Sequence, residues 1–294
     1  MTGNIDLGEG NNSLTNSGVI TGQVQTGSGS DIVKNTGTFS IIDLGEGADT
    51  LIGGSKQEQV LDSLGNDTYK LGGGSDILFL SSGNDACDGG AGTDSVGFNV
   101  AGTPNCFINL DSKAIVLGGQ TLQASLLSSV AVGVSSSIKN FERATGGRGD
   151  DYIAGNSAAN SLTGSDGNDV LYGGLGADRL AGGSENDTFV YLQTKESGLT
   201  KATRDIISAF DRPGATAGDL IDLSAIDADT KTAGNQSFNW TNSNIAFTHA
   251  AGELRAVFEG NDTIIQGDVN GDAKPDFAIT VLGIQFFSAA DFVP

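Results

Sequence analysis

The residues with chemistry to offer are aspartates repeated at a nine-residue interval. From Gly146 the chain reads GGRGDDYIA, GNSAANSLT, GSDGNDVLY, GGLGADRLA and GGSENDTFV through Val190. From Leu44 it reads LGEGADTLI, GGSKQEQVL, DSLGNDTYK, LGGGSDILF, LSSGNDACD and GGAGTDSVG through Gly97. Weaker copies, LGEGNNSLT from Leu7 and TGSGSDIVK from Thr26, lie ahead, with NSGVITGQV and NTGTFSIID between them, so the pattern starts near the first residue. A period this regular takes precedence over local secondary-structure signals.

Glycines at the first, second and fourth positions let a loop turn its carbonyls toward one point. The sixth-position carboxylate adds a hard anionic oxygen of the kind calcium prefers. One such loop supplies half a coordination shell. If two nonapeptides make one coil, loops eighteen residues apart stack, and each ion is shared by two of them. The pairs are then Asp31 with Asp49, Asp49 with Asp67, Asp67 with Asp85, Asp76 with Asp94, Asp151 with Asp169, Asp169 with Asp187, and Asn160 with Asp178. The loop glycines of these expected sites are Gly72, Gly74, Gly83, Gly89, Gly90, Gly92, Gly146, Gly147, Gly149, Gly155, Gly164, Gly167, Gly173, Gly174, Gly176, Gly182 and Gly183. Units with Glu58 or Asn160 in place of Asp should bind weakly or not at all. A separate run, DVNGDAKPD, presents Asp268, Asn270, Asp272 and Asp276 as a candidate loop; it lacks the glutamate that closes a twelve-residue calcium loop, and a bare turn explains it equally well.

The elements that must position these loops are short strands. The last three residues of each unit form one, with the middle side chain facing inward. The inward set is Val33, Leu51, Val60, Tyr69, Leu78, Cys87, Val96, Ile153, Leu162, Leu171, Leu180 and Phe189, which makes a thin apolar core. Residues 98–145 break the phase and read as strands flanking the repeats, or as a small binding insertion.

Composition narrows the partners. There are 45 Gly and 4 Pro in 294 residues, and 36 acidic against 15 basic residues give a net charge of -21, so nucleic acid and anionic membranes are poor partners and a cation is a good one. The same composition suits a disordered chain, but disordered acidic segments carry charge in blocks without phase. No run approaches the roughly 18 apolar residues of a membrane span, and the start MTGNIDLGEG lacks the parts of a signal peptide. Cys87 and Cys106 do not have metal-finger spacing and read as buried thiols, with a bridge between them left open. The chain holds no GxSxG, HExxH or Walker loop, so no catalytic residues are assigned and the chain reads as not an enzyme.

These nonapeptides resemble the G-G-x-G-x-D-x-U-x repeats of repeats-in-toxin (RTX) proteins. After Val190, the run DTFVYLQTKES, RDIISAFD, GDLIDLSAIDAD, GELRAVFEGNDTIIQGDVNGDAKPDFAITVLG and SAADFVP is similar to the carboxy-terminal region of serralysin-type metalloproteases. The resemblance implies an all-β fold: a right-handed parallel β-roll holding several calcium ions, closed by an antiparallel β-sandwich-like cap. It also implies recognition by a type I secretion apparatus, an extracellular location without a signal peptide, and a last ion site completed by Asp205, eighteen residues beyond Asp187. The ending Asp291-Phe292-Val293-Pro294 resembles the family's acidic and apolar terminus, with Pro294 a departure. The protease does not carry over, because its zinc helix needs three histidines and the chain has only His249, expected in a cap strand. The expected organisation is a first roll over 1–97, connector strands over 98–145, a second roll over 146–204 and the cap over 205–294, in a monomer. The function expected is a non-catalytic calcium-binding module that folds after export. The alternative is the carboxy-terminal part of a larger secreted adhesin or hydrolase.

Overall fold

The computed structural model describes residues 2–62, 64–98, 105–129, 134–211, 218–283 and 285–294. Positions 99–104 and 130–133 of the expected connector lie outside the described residues. The chain forms two units, one of residues 1–115 with 121–149 and one of residues 116–120 with 150–294.

Nine residues suffice for one turn and one strand, so in the first unit the chain alternates between two sheets of parallel strands. One sheet runs Ile5–Asp6, Gln23–Gln25, Ile41–Asp43, Gln59–Leu61, Ile77–Leu80, Ser95–Phe98 and Arg143–Thr145. The other runs Ser13–Asn16, Ile32–Asn35, Thr50–Ile52, Thr68–Lys70, Ala86–Asp88 and Val134–Lys139, and then turns antiparallel through Leu126–Ser129 and Phe107–Asn109. Thr50 pairs with Thr68 and Thr68 with Ala86, which is the two-nonapeptide coil, while Ser13 pairs with Ile32 because the first coil is one residue longer.

The glycines permit this stacking where backbones meet. At Gly90, where φ is +98°, an added Cβ would fall 2.0 Å from the carbonyl oxygen of Gly72. At Gly92, where φ is +144°, it would fall 1.6 Å from that of Gly74. Between the sheets the eighth-position side chains form the core, none more than 3% exposed. Cys87 and Cys106 are both buried and unbridged.

In the second unit, Tyr152–Ala154, Val170–Tyr172, Thr188–Val190, Leu220–Asp222 and Phe292–Val293 make one parallel sheet. The other sheet runs Ser161–Asp166, Arg179–Ser184, Ile206–Ser208 and Phe277–Val281 in parallel, then antiparallel through Asp262–Asp268 and Glu253–Glu259, with Asn239–Ser243 pairing in parallel with the last of these. Aromatic rings join the last coil to the carboxy-terminal strands: the centroids of Phe189 and Phe210 are 6.0 Å apart, Phe210 and Phe287 5.1 Å, Phe287 and Phe292 5.6 Å, and Phe292 stacks on Trp240 at 5.1 Å.

Two expectations need correction. Asp205 does not stack on Asp187. Ile206–Ser208 pairs with Arg179–Ala181, which brings Asp205 beside Asp178. The connection after Val190 holds an additional 3-10 turn, Thr194–Glu196, in which the buried Glu196 carboxylate accepts the N–H groups of Leu192 and Gln193. That turn takes up one repeat length, so the nine-residue phase survives while the chain changes sheets. His249 lies exposed in a bend between Asn239–Ser243 and Glu253–Glu259, at φ 70°, and not in a strand.

Candidate metal centre

Each sixth-position residue stands where a turn meets a strand, so parallel stacking lines these residues up in rows. In the first unit, the N–H of Asn12 donates to Asp31 Oδ1 at 2.6 Å, that of Asp31 to Asp49 at 2.7 Å, that of Asp49 to Asp67 at 2.8 Å and that of Asp67 to Asp85 at 2.9 Å. On the opposite edge Glu58 donates to Asp76 and Asp76 to Asp94, and Asp94 in turn donates to the side chain of Glu142. In the second unit one row runs Asp151, Asp169, Asp187, Asp219, and the other Asn160, Asp178, Asp205.

In every row Oδ1 is occupied by the neighbouring amide. The second oxygen tells more. Asp31, Asp49, Asp76, Asp94, Asp169, Asp178, Asp187 and Asp205 each keep a buried Oδ2 with no hydrogen-bond partner, as does Glu58 at Oε2. The row aspartates are at most 3% exposed. Leaving a carboxylate oxygen dry and unpaired is expensive, and a hard cation between coils removes that expense. The residues present therefore fit calcium.

Glycines make room for these oxygens. An added Cβ at Gly164 or Gly182 would lie 1.9 Å from the Oδ2 of Asp169 or Asp187, and one at Gly173 2.4 Å from that of Asp178. At Gly89 the distance to Asp94 Oδ2 is 3.1 Å, and at Gly155 that to Asn160 Oδ1 is 2.6 Å. Gly74, Gly83, Gly167, Gly174, Gly176 and Gly183 sit in the turns at positive φ. Gly147 lies 3.9 Å from Cys106 Sγ when a Cβ is added, and Gly146 and Gly149 precede Asp151 in the chain.

Crowded, buried carboxylates hold their protons. Burial pushes Asp169 up to about 8, against the hydrogen bond from Asp151 and with help from the charges of Asp151 and Asp187. Burial likewise raises Asp67 to about 7, with Asp62 and Asp49 adding to it, and Asp187 to about 7, with Asp219 adding. Asp205 rises to about 8 through burial and Asp178. A bound dication would reverse this and favour the charged forms.

Three acidic residues belong here that periodicity missed. Asp62, a first-position residue, brings a ligand atom within 4.8 Å of atoms on Asp67 and Asp85, and all three are buried. Its carboxylate is held by the hydroxyl of buried Tyr69 and by Ser81. Glu142 follows the irregular stretch and had no phase to reveal it. Asp219 accepts from Asp187 and, at 2.7 Å, from Asp211.

The DVNGDAKPD loop is built differently. Asp268 accepts the N–H groups of Asn270, Gly271 and Ala273, Asp276 accepts those of Val269 and the Asn270 side chain, and Asp272 accepts that of Lys274. These carboxylates hold a turn together.

The family description "Peptidase M10 serralysin C terminal" matches residues 86–294, and "RTX calcium-binding nonapeptide repeat (4 copies)" matches residues 63–96. RTX repeats bind calcium, and both kinds of domain are typical of type I secreted extracellular proteins. Among solved structures, the AlgE6R3 subunit of the Azotobacter vinelandii mannuronan C5-epimerase is 27% identical, with a TM-score of 0.36 over 51% of this chain and 76% of that one. The extracellular lipase LipA from Serratia marcescens is 16% identical, with a TM-score of 0.27 over 94% of this chain, which spans 44% of the lipase. No curated protein matches the chain. Among the described residues, no helix is long and apolar enough to cross a membrane.

Proposed function

The chain belongs to the peptidase M10 serralysin C-terminal family, and from that premise we propose that it is a non-catalytic calcium-binding module that leaves the cell unfolded by type I secretion and folds on meeting calcium outside. The observation that carries this reading is the set of nine row carboxylates whose second oxygen is buried without a partner. A fold with such rows is unfavourable when the carboxylates are charged and no cation is present, and becomes favourable when ions occupy the gaps.

Extracellular calcium modules bind at ~10⁻⁴ to 10⁻³ M, so at ten times the dissociation constant each independent ion contributes about 1.4 kcal/mol. Several such ions rival the whole stability of a domain. At cytosolic calcium the contribution nearly vanishes, and repulsion along each row keeps the chain threadable. Circular dichroism during a calcium titration of the purified chain tests this: strand signal should grow with calcium, and a spectrum already complete in chelator at pH 8 would refute it.

A further inference from the structure

The unit GGSKQEQVL departs from the repeat at its key position, with Glu58 where aspartate is expected, and it lies outside both family matches. Its geometry is nonetheless that of a site. Glu58 is 0% exposed, and so is Asp76, the next member of the row. The Glu58 N–H donates to Asp76 Oδ1 at 2.7 Å, as each aspartate does to its neighbour. Glu58 Oε2 and Asp76 Oδ2 are both buried without a hydrogen-bond partner.

The added methylene is taken up on the other side. Glu58 Oε1 accepts the Asn35 side-chain amide at 2.8 Å, and Asn35 Oδ1 accepts that of Asn16 at 2.8 Å. With Oε1 anchored there, Oε2 faces the first glycine of its own loop at the long end of the range the aspartates give: an added Cβ at Gly53 lies 3.1 Å from Glu58 Oε2, against 1.9 Å from Gly164 to Asp169 Oδ2 and 3.1 Å from Gly89 to Asp94 Oδ2. Below Glu58 two neutral amides bond directly to each other, so that end of the row needs no ion.

We infer that Glu58 and Asp76 hold a hard divalent cation, with calcium the one expected, and that the Asn16–Asn35 amide pair closes this row so that the Glu58 ion is its first. The inference rests on reading the rows as calcium sites, and it extends that reading to a unit whose sequence argues against it.

The test uses the full chain and calcium alone. Ions bound per chain are counted by equilibrium dialysis for the wild type, Glu58→Gln and Glu58→Asp, with circular dichroism at saturating calcium to verify folding. Glu58→Gln should bind one ion fewer. Glu58→Asp keeps a carboxylate but loses the reach to Asn35, so it should keep the wild-type count with one step roughly fivefold weaker, the effect of one lost hydrogen bond. If Glu58→Gln does not fold, Glu58→Asp decides alone: one step about fivefold weaker, or one ion fewer, supports the site, and an unchanged count with unchanged affinities overturns it. An unchanged count and affinity in Glu58→Gln overturns the site while leaving the other rows standing. A wild-type chain that binds no calcium overturns both.

Discussion

Replacing Asp169 with asparagine should have opposite effects on stability with and without calcium. Asp169 sits between Asp151 and Asp187 in its row, accepting from the first and donating to the second, so it faces two ion positions. Asp205 faces one, shared with Asp178, because its own N–H is taken by the hydroxyl of Ser197. At calcium ten times the dissociation constant, Asp169→Asn should lose about 3 kcal/mol and Asp205→Asn about half that, at about 1.4 kcal/mol per ion. In chelator the sign reverses. Burial holds the folded-state pKa of Asp169 near 8, far above its ordinary value of 3.8. The stability tied to its protonated form is therefore complete below pH ~4 and is lost as pH rises through about 8. Above that, neighbouring charges in coils about 4.8 Å apart repel by about 3 kcal/mol at an effective dielectric of 20. The asparagine has no such charge, so in chelator the variant should gain strand signal at a higher pH than the wild type as the solution is acidified. Urea midpoints in calcium and circular dichroism against pH in chelator measure the two halves. Destabilisation by Asp169→Asn under both conditions, or equal losses for the two variants in calcium, would refute the reasoning.

Two further outcomes follow from single contacts. Tyr69→Phe removes the hydroxyl that Asp62 accepts inside the first unit and should cost on the order of 1–2 kcal/mol in saturating calcium, read from the urea midpoint. Phe292→Ala removes the ring stacked on Trp240, the chain's one tryptophan, at 5.1 Å. It should red-shift the emission of the folded chain and cost about 3–5 kcal/mol, and an unchanged spectrum would show that the terminal strand is not seated.

Much of the architecture could be read from spacing, because a constant repeat length fixes both which side chains face inward and which loops stack. That is why all twelve eighth-position residues, from Val33 to Phe189, lie in the core. The same logic fails where a turn changes length. The additional turn before Asp205 preserved the count of nine while moving the residue to the other sheet, which spacing alone cannot detect. Glu142 and Asp219 enter their rows after irregular connections, and Asp62 occupies a first position, where the repeat pattern expects glycine and no ligand. Glu58 was discounted on residue type, although an amide beneath it accommodates its extra length.

The hydroxyl of Ser136 both accepts the N–H of Asp85 and donates to Asp85 Oδ2. It spends the last carboxylate of its row, and beyond it the sheet turns antiparallel. With a neutral hydroxyl on its last carboxylate, the row from Asp31 to Asp85 ends without an orphan oxygen, so any cations it takes are held between its own members and none is called for beyond Asp85.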